Sequence, residues 1–481
     1  MANTYGLVGL RPAPEHVAQV ASPPYDVVQM GPAMDRLLAS NPQSLFQIIL
    51  AQDPARALEQ MKSKGWFIPD EEPCYYVYEQ RWQNQSRLGV LFAGEVSDYS
   101  RRHIIRHEKT FPEKVRKSIA LKQKLQFDIG PVFLFTQAPI TSVLESCTAD
   151  RPLYSFRSDS ETIQNRIWRI PELSEKGALI QKTLASGALY IADGHHRYQA
   201  ALDAGLQRFV AYATEHAQIL AYNRVVNGEV PFRNILKQLP LVQTARLATP
   251  PKHTFCLYSK GQAYLLSAQR IPPDSDVVGR LDCSILEREL YPYLGLRPDM
   301  IRDPRHFDCY PESKLAEMKA LVDAGEYDLA IALHPVSINE LIAVADAGID
   351  NPKIVMPEKS TFFSPKVLSG LFLQKISFSK KIVCSSNHSP SLRGYFSPTL
   401  SSQFRHSACC SPIRIRRNFM LRASIAFFVI GLVAYLLGLY GVAGLSVDIG
   451  KILLTVFLII GAISLVVGLV QGRPPKALKK F

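Results

Sequence analysis

Four short stretches of this chain carry side chains whose types and spacing suit chemistry. In residues 189–202, LYIADGHHRYQAAL, an apolar triplet reads as the end of a buried strand and the closing residues read as an amphipathic helix with Gly205 as its C-cap. Asp193-Gly194-His195-His196-Arg197 falls between them. A strand that ends in Asp-Gly and feeds a helix presents unpaired backbone N–H groups together with the positive end of the helix dipole, and that combination is an anion site. Gly194 lets a ligand approach the backbone. His195 and His196 are donors, Arg197 offers a planar fork suited to phosphate oxygens, and Asp193 caps the helix or orients a histidine. The chemistry indicated is phosphate binding. The plain alternative is a surface turn with an N-cap and an incidental histidine pair. No metal is expected, because adjacent histidines point in different directions and no His-x-x-x-His or Cys-x-x-Cys accompanies them.

The second stretch is IIRHEKTFPEKVRKS, residues 104–118. Glu108, flanked by Arg106, His107 and Lys109, is expected to stay ionised and to take a proton from a hydroxyl, unless the segment is simply a solvated loop. The third, MPEKSTFFSPKVLSGL at 356–371, interleaves Lys359, Ser360, Thr361, Ser364 and Lys366 with Phe362 and Phe363, and suits closure over a phosphate or an exposed basic strand. The fourth, ASPPYDVV near the N-terminus, sets Tyr25 and Asp26 behind two prolines in a stiff turn.

These stretches need elements to hold them. Strands are expected at 75–81 and 87–96, joined through WQNQS as a hairpin, and at 132–136, 209–213 and 329–333. Helical periodicity covers 113–125, 313–324 and 338–347. This mixture argues for an α+β or mixed α/β domain over 1–374, of one or two subdomains, rather than a purely parallel sheet.

A net charge of +13 and a pI near 9.3 would ordinarily suggest a nucleic-acid partner, but the charge is unevenly placed. Residues 359–481 hold 16 of the 55 Lys and Arg and one of the 42 acids, leaving residues 1–358 at −2. With no helix-turn-helix pattern or basic stripe there, nucleic-acid binding is not expected. Residues 375–419 are rich in Ser, Arg and Pro and read as a disordered linker. Beyond it, 423–445 and 452–470 are uncharged apolar runs joined by SVDIGK, each close to the ~20 residues that cross a bilayer. Basic residues flank both, so a transmembrane hairpin over 420–481 is expected, with both ends and the large domain on the cytoplasmic side of the cell membrane. Cys384, Cys409 and Cys410 of the linker fit no zinc spacing, and Cys74, Cys147, Cys256, Cys283 and Cys309 are scattered singly, the usage of reduced cytosolic thiols.

Taken in order, SPPYDVV, RHEKTFPEKVRKSIALKQKLQFDIGPVFLFT, YIADGHHRYQAAL, RLDCSIL, YDLAIALHPVSINELIAVADAG and MPEKSTFFSPKVLSGL resemble the family called domain of unknown function 1015, over about residues 1–372. Asn223 in YNRVV stands where that family leads one to expect histidine. His107-Glu108, Asp193–Arg197 and Phe363-Ser-Pro-Lys366 also resemble, in the same order, motifs of the ADP-dependent free serine kinases of the ParB/sulfiredoxin superfamily. That resemblance implies Glu108 as general base, and Asp193, Gly194, His195, His196 and Arg197 as phosphate cradle. Asp193 and His196 would act at the reacting centre, Ser364 and Lys366 would support the phosphates, and Tyr25, Asp26 and His107 would lie on the substrate side. ADP or ATP, with Mg²⁺, is then the implied cofactor and a small hydroxylated metabolite such as free serine the implied substrate; the alternative is a non-catalytic nucleotide-binding module. From Met420 the chain is similar to the small two-span proteins of uncharacterised protein family 0391, as though a complete membrane protein had been joined to a complete soluble one.

Overall fold

The computed structural model describes residues 3–25, 31–158 and 163–376, with the side chains of 32 and 33 left aside. Asp26, the linker from 377 onward and both apolar spans lie outside these residues. Among the described residues no helix is long and apolar enough to cross a membrane.

A nine-stranded mixed sheet organises the domain. Across it run Ile104–Ile105, Leu189–Asp193, Val132–Thr136, Arg208–Thr214, Gln85–Glu95, Cys74–Trp82, Gln164–Pro171 and Tyr154–Arg157, with Thr4–Tyr5 paired onto Gln85–Glu95. Two pairings are parallel, Leu189–Asp193 with Ile104–Ile105 and Arg208–Thr214 with Val132–Thr136, and the rest are antiparallel. The hairpin expected through WQNQS is present, with Gln83 in the left-handed region at the turn.

Strand periodicity explains the two-faced core. Leu189 and Ile191, with Val132, Leu134, Tyr75 and Val77, face one apolar layer. Tyr190 and Ala192, with Phe133, Phe135, Tyr76 and Tyr78, face the other. Both faces being covered, these strands read as continuous apolar runs rather than alternating ones. Helix His195–Asp203 covers the first face through Tyr198 and Ala201. The buried Tyr198 hydroxyl, donating to the Ser97 carbonyl at 2.6 Å and accepting the Ser97 N–H at 3.1 Å, pins it. Helix Pro112–Leu125 packs alongside, starting with proline at its first position and burying Val115, Ser118, Lys122 and Leu125.

A second, wholly antiparallel sheet runs Leu241–Thr244, Gln262–Ser267, Thr254–Ser259, Leu329–Leu333, Tyr222–Val226 and Phe307–Pro311. Helix Ile338–Asp350, opened by a Ser337/Glu340 capping box, runs three residues past the expected end. Strand Leu373–Lys375 joins a small four-stranded sheet and Ile376 is buried, so Lys375 and Ile376 belong to the domain rather than to the linker assigned from sequence.

Candidate functional site

The strand–turn–helix expected at Asp193–Arg197 is present. Strand Leu189–Asp193 ends and helix His195–Asp203 begins one residue later, with Gly194 between them at φ +93°. A β-carbon on Gly194 would lie 3.0 Å from the Arg197 guanidinium. The close approach that requires glycine here is therefore the protein's own arginine, not a ligand as the sequence suggested.

Arg197 is buried, with its guanidinium donating to the Pro131 carbonyl and 3.7 Å from Asp193 Oδ1. The fork expected to grip phosphate is turned inward. Asp193 does not cap the helix either: its Oδ2 lies 2.9 Å from Lys366 Nζ. The cations Lys366 and Arg197 hold its carboxyl well below the usual range despite burial.

His195 Nε2 accepts the His107 backbone N–H at 3.4 Å, which leaves Nδ1 as the protonated nitrogen of the neutral ring. Nδ1 stands 3.6 Å from Glu108 Oε2. Burial and the adjacent His107 push the His195 pKa well below that of an ordinary histidine. His107 meets His195 edge-on at 4.5 Å, and burial lowers it to about 3. The Ile191 backbone opposes that lowering without overcoming burial, and Nε2 is 3.9 Å from Glu108 Oε1.

Glu108 departs from expectation. Its side chain is 28% exposed, yet burial and the charge of Asp193 push its carboxyl up to about 7, against the opposing pull of Lys366 and Lys114. Its basic sequence neighbours do not hold it firmly ionised. Near neutrality it exchanges a proton easily, which suits a general base better than a strongly acidic carboxylate does.

His196 lies stacked on Phe111 at 5.7 Å, and its Nε2 accepts the Phe111 N–H at 3.1 Å. That nitrogen is engaged as an acceptor rather than presented as a donor. Tyr25 is half-buried, its hydroxyl 3.5 Å from Ser118 Oγ and its ring against Gly130, beside the Arg197 stem. The structure thus brings Glu108, Asp193, His107, His195 and Lys366 together, with Arg197 buried against Asp193 and Tyr25 beside the Arg197 stem.

The 356–371 stretch wraps the same corner. The Met356 N–H donates to the His107 carbonyl at 2.9 Å, and Phe363 packs on Phe133 and His107 at 5.6 and 6.5 Å. Strand Phe362–Ser364 pairs with Gln218–Leu220. Ser360 is buried away from the corner, taking the Cys283 thiol at 3.2 Å. Lys366 Nζ lies 4.6 Å over the Phe362 ring. Asn223 is buried, its Oδ1 accepting the Leu333 N–H at 3.1 Å, so it serves the second sheet.

Two participants were not singled out from the sequence. Arg87 and Gln80, buried and directly opposite each other on the first hairpin, hold the backbone of residues 364–366. The signal was partial: a turn at Gln83-Asn84 sets Gln80 opposite Arg87, but Glu79, Arg81, Gln85 and Ser86 beside them made that end of the hairpin read as solvated.

No group of three His, Cys, Asp or Glu side chains among the described residues is placed to hold a metal, and the Lys366 ammonium occupies the side of Asp193 that a cation would take. These residues do not fit a resident Mg²⁺.

A family model described as "Protein of unknown function (DUF1015)" matches residues 6–284, and one described as "Protein of unknown function (DUF1328)" matches 425–463. The chain is 62% identical over 56 residues to a UPF0391 membrane protein of Bdellovibrio bacteriovorus, spanning all of that protein and 12% of this chain. It is 46% identical over 56 residues to one of Afipia carboxidovorans, spanning 97% of it and 12% of this chain. Similar solved structures include a free serine kinase in complex with AMP (12% identity, 57% of this chain and 86% of that one, TM-score 0.31). Another is a conserved hypothetical protein from Pyrococcus furiosus (13% identity, 61% and 95%, TM-score 0.31). A likeness of this degree transfers neither ligand nor activity. By its matched residues the chain belongs to the DUF1015 family of proteins of unknown function, and it carries a UPF0391 membrane-protein segment at its C-terminal end.

Proposed function

We propose that the domain is a nucleotide-dependent phosphotransferase acting on a small hydroxylated metabolite, free serine being the first to test, with ADP or ATP as donor. One observation carries this reading: residues from three distant stretches, Glu108, Asp193 with His195, and Lys366, converge where a helix begins. The N–H groups that open the helix, with Lys366, receive the nucleotide phosphates. Glu108, with a carboxyl near neutrality, takes the proton as the substrate oxygen bonds to the terminal phosphorus, while the bridging P–O bond breaks and its electron pair leaves with the nucleotide. The neutral His195 steadies the carboxylate through Nδ1. Arg197 is left out of the phosphate cradle and holds the turn from behind. Any cation travelling with the nucleotide belongs to that substrate, and no step is assigned to it. In this reading the ParB/sulfiredoxin-like element is the strand–turn–helix with its neighbouring strands. Residues 423–445 and 452–470 anchor the domain as a membrane hairpin, both termini cytoplasmic.

Phosphorus NMR of the protein with ADP or ATP, with and without serine, tests this. A new phosphomonoester signal that requires both protein and serine supports it. Nucleotide bound but unchanged across a panel of small hydroxylated metabolites would favour the second reading, a membrane-anchored nucleotide-binding module.

A further inference from the structure

Arg87 is fully buried, and the partners of its guanidinium among the described residues are neutral. It donates to Gln80 Oε1, to the Pro365 carbonyl at 2.6 Å and to the Ser364 carbonyl at 3.4 Å. Its face lies 4.6 Å from the Phe133 ring and 5.6 Å from Tyr212. Gln80, in register opposite it, donates from Nε2 to the Lys366 carbonyl at 3.0 Å. Two side chains thus clamp three consecutive carbonyls, and the next atoms outward are those of the Lys366 side chain reaching Asp193 at 2.9 Å. Burying a cation without a counter-ion is expensive, and an apolar pair of similar volume would fill the hairpin more cheaply. What the apolar pair cannot do is fix three carbonyls in one geometry; the rigid guanidinium fork can.

We infer that Arg87, with Gln80, is the positioning residue for Lys366: the clamp sets the 364–366 backbone so that the lysine ammonium meets Asp193 and stands beside Glu108. The ligand arm of this inference rests on the phosphotransferase reading. The proton arm does not.

The groups acting on Glu108 are His107 from its own stretch, Asp193 and His195 from the strand–helix turn, Lys366 from the clamped segment, Lys114 from helix Pro112–Leu125, and Glu358. Lys366 favours the ionised form, so a lysine that drifts away lets the Glu108 midpoint rise. Arg87 is not among these groups.

The test follows the Glu108 carboxyl by carbon-13 NMR against pH in the full-length chain in detergent, its resonance assigned by its loss in Glu108→Gln. Lys366→Met gives the reference shift. Gln80→Leu, which changes no charge, and Arg87→Lys, which keeps the charge but loses the fork, are expected to raise the midpoint in the same direction. Arg87→Met is expected to do so as well. ADP affinity, read by calorimetry at fixed pH, is expected to fall on the order of 10-fold in each. A folded Gln80→Leu protein whose Glu108 midpoint stays at the wild-type value overturns the inference, including where Arg87→Met fails to fold. A wild-type chain that binds no ADP, with the midpoint shifts intact, overturns the phosphotransferase reading and leaves the positioning role standing.

Discussion

Replacing Arg197 with methionine separates a phosphate ligand from a buried brace. Methionine keeps most of the aliphatic stem, so little cavity opens behind Gly130 and Tyr25. What is lost is a charged donor to the buried Pro131 carbonyl and the second cation beside Asp193. A hydrogen bond from a charged group contributes about 1.5–3 kcal/mol. Asp193 keeps Lys366 at 2.9 Å, so the 3.7 Å contact adds little beyond that, much of its attraction being offset by the desolvation of a buried charge. The expected loss of folding stability is about 2–3 kcal/mol, which lowers the urea midpoint by roughly 1 M at a slope of ~2–3 kcal/mol/M. Equilibrium urea unfolding followed by tryptophan fluorescence measures it, alongside ADP affinity by titration calorimetry well below the midpoint. Affinity should change less than about 3-fold, because no guanidinium donor is lost from the phosphate side. An unchanged urea midpoint with affinity down about 10-fold or more would refute the buried-brace argument and restore Arg197 to the cradle.

Glu108→Gln is expected to keep nucleotide binding and to slow transfer by about 10²–10⁴-fold, measured by phosphate-transfer rate at saturating nucleotide; normal turnover removes Glu108 as the base. Lys366→Met should raise the Glu108 midpoint above about 7 and weaken ADP binding on the order of 10- to 100-fold, checked by carboxyl titration and calorimetry. In acid, the unfolded chain protonates His107 and His195 below the ordinary histidine value of 6.5, whereas folded His107 refuses the proton until about 3, so stability falls as pH drops. Glu108 works oppositely, being protonated when folded up to about 7 but only below the ordinary value of 4.5 when unfolded. Removing that opposing contribution, Glu108→Gln should steepen the fall of the urea midpoint between pH 6.5 and 4.5. Residues 1–376 produced alone should match the full chain in any activity, and an antibody to that part should detect a membrane band near 54 kDa in the native cell. A separate soluble band of roughly 41 kDa, at ~110 Da per residue, would show two independent proteins.

What the sequence determined by itself was local and periodic. Leu189–Asp193 had to be a strand, because its apolar residues serve two opposite core faces. The turn had to fall at Gly194, because only glycine takes that conformation so readily, although the helix begins at His195, earlier than the YQAALDAG run suggested; the first hairpin was set by its turn. The separation of a near-neutral domain from a basic, apolar tail was equally plain, since composition needs no coordinates. Membership of the corner was legible as well: Glu108, Asp193, His195 and Lys366 were all named from their stretches. Direction and charge state were not. Whether Arg197 points outward to a phosphate or inward to Pro131, and whether Asp193 caps a helix or pairs with Lys366, depends on which strand lies behind the turn, a neighbour far away in the chain. The pKa of Glu108 follows the same logic. Its sequence neighbours are cations, yet its spatial neighbours include Asp193 and a buried wall, and desolvation in that wall outweighs the flanking charges. Only the pairing of Gln80 with Arg87 across the hairpin, and of both with carbonyls more than 270 residues away, set the place of Lys366, because a side chain's partners are chosen by packing and not by proximity in the chain.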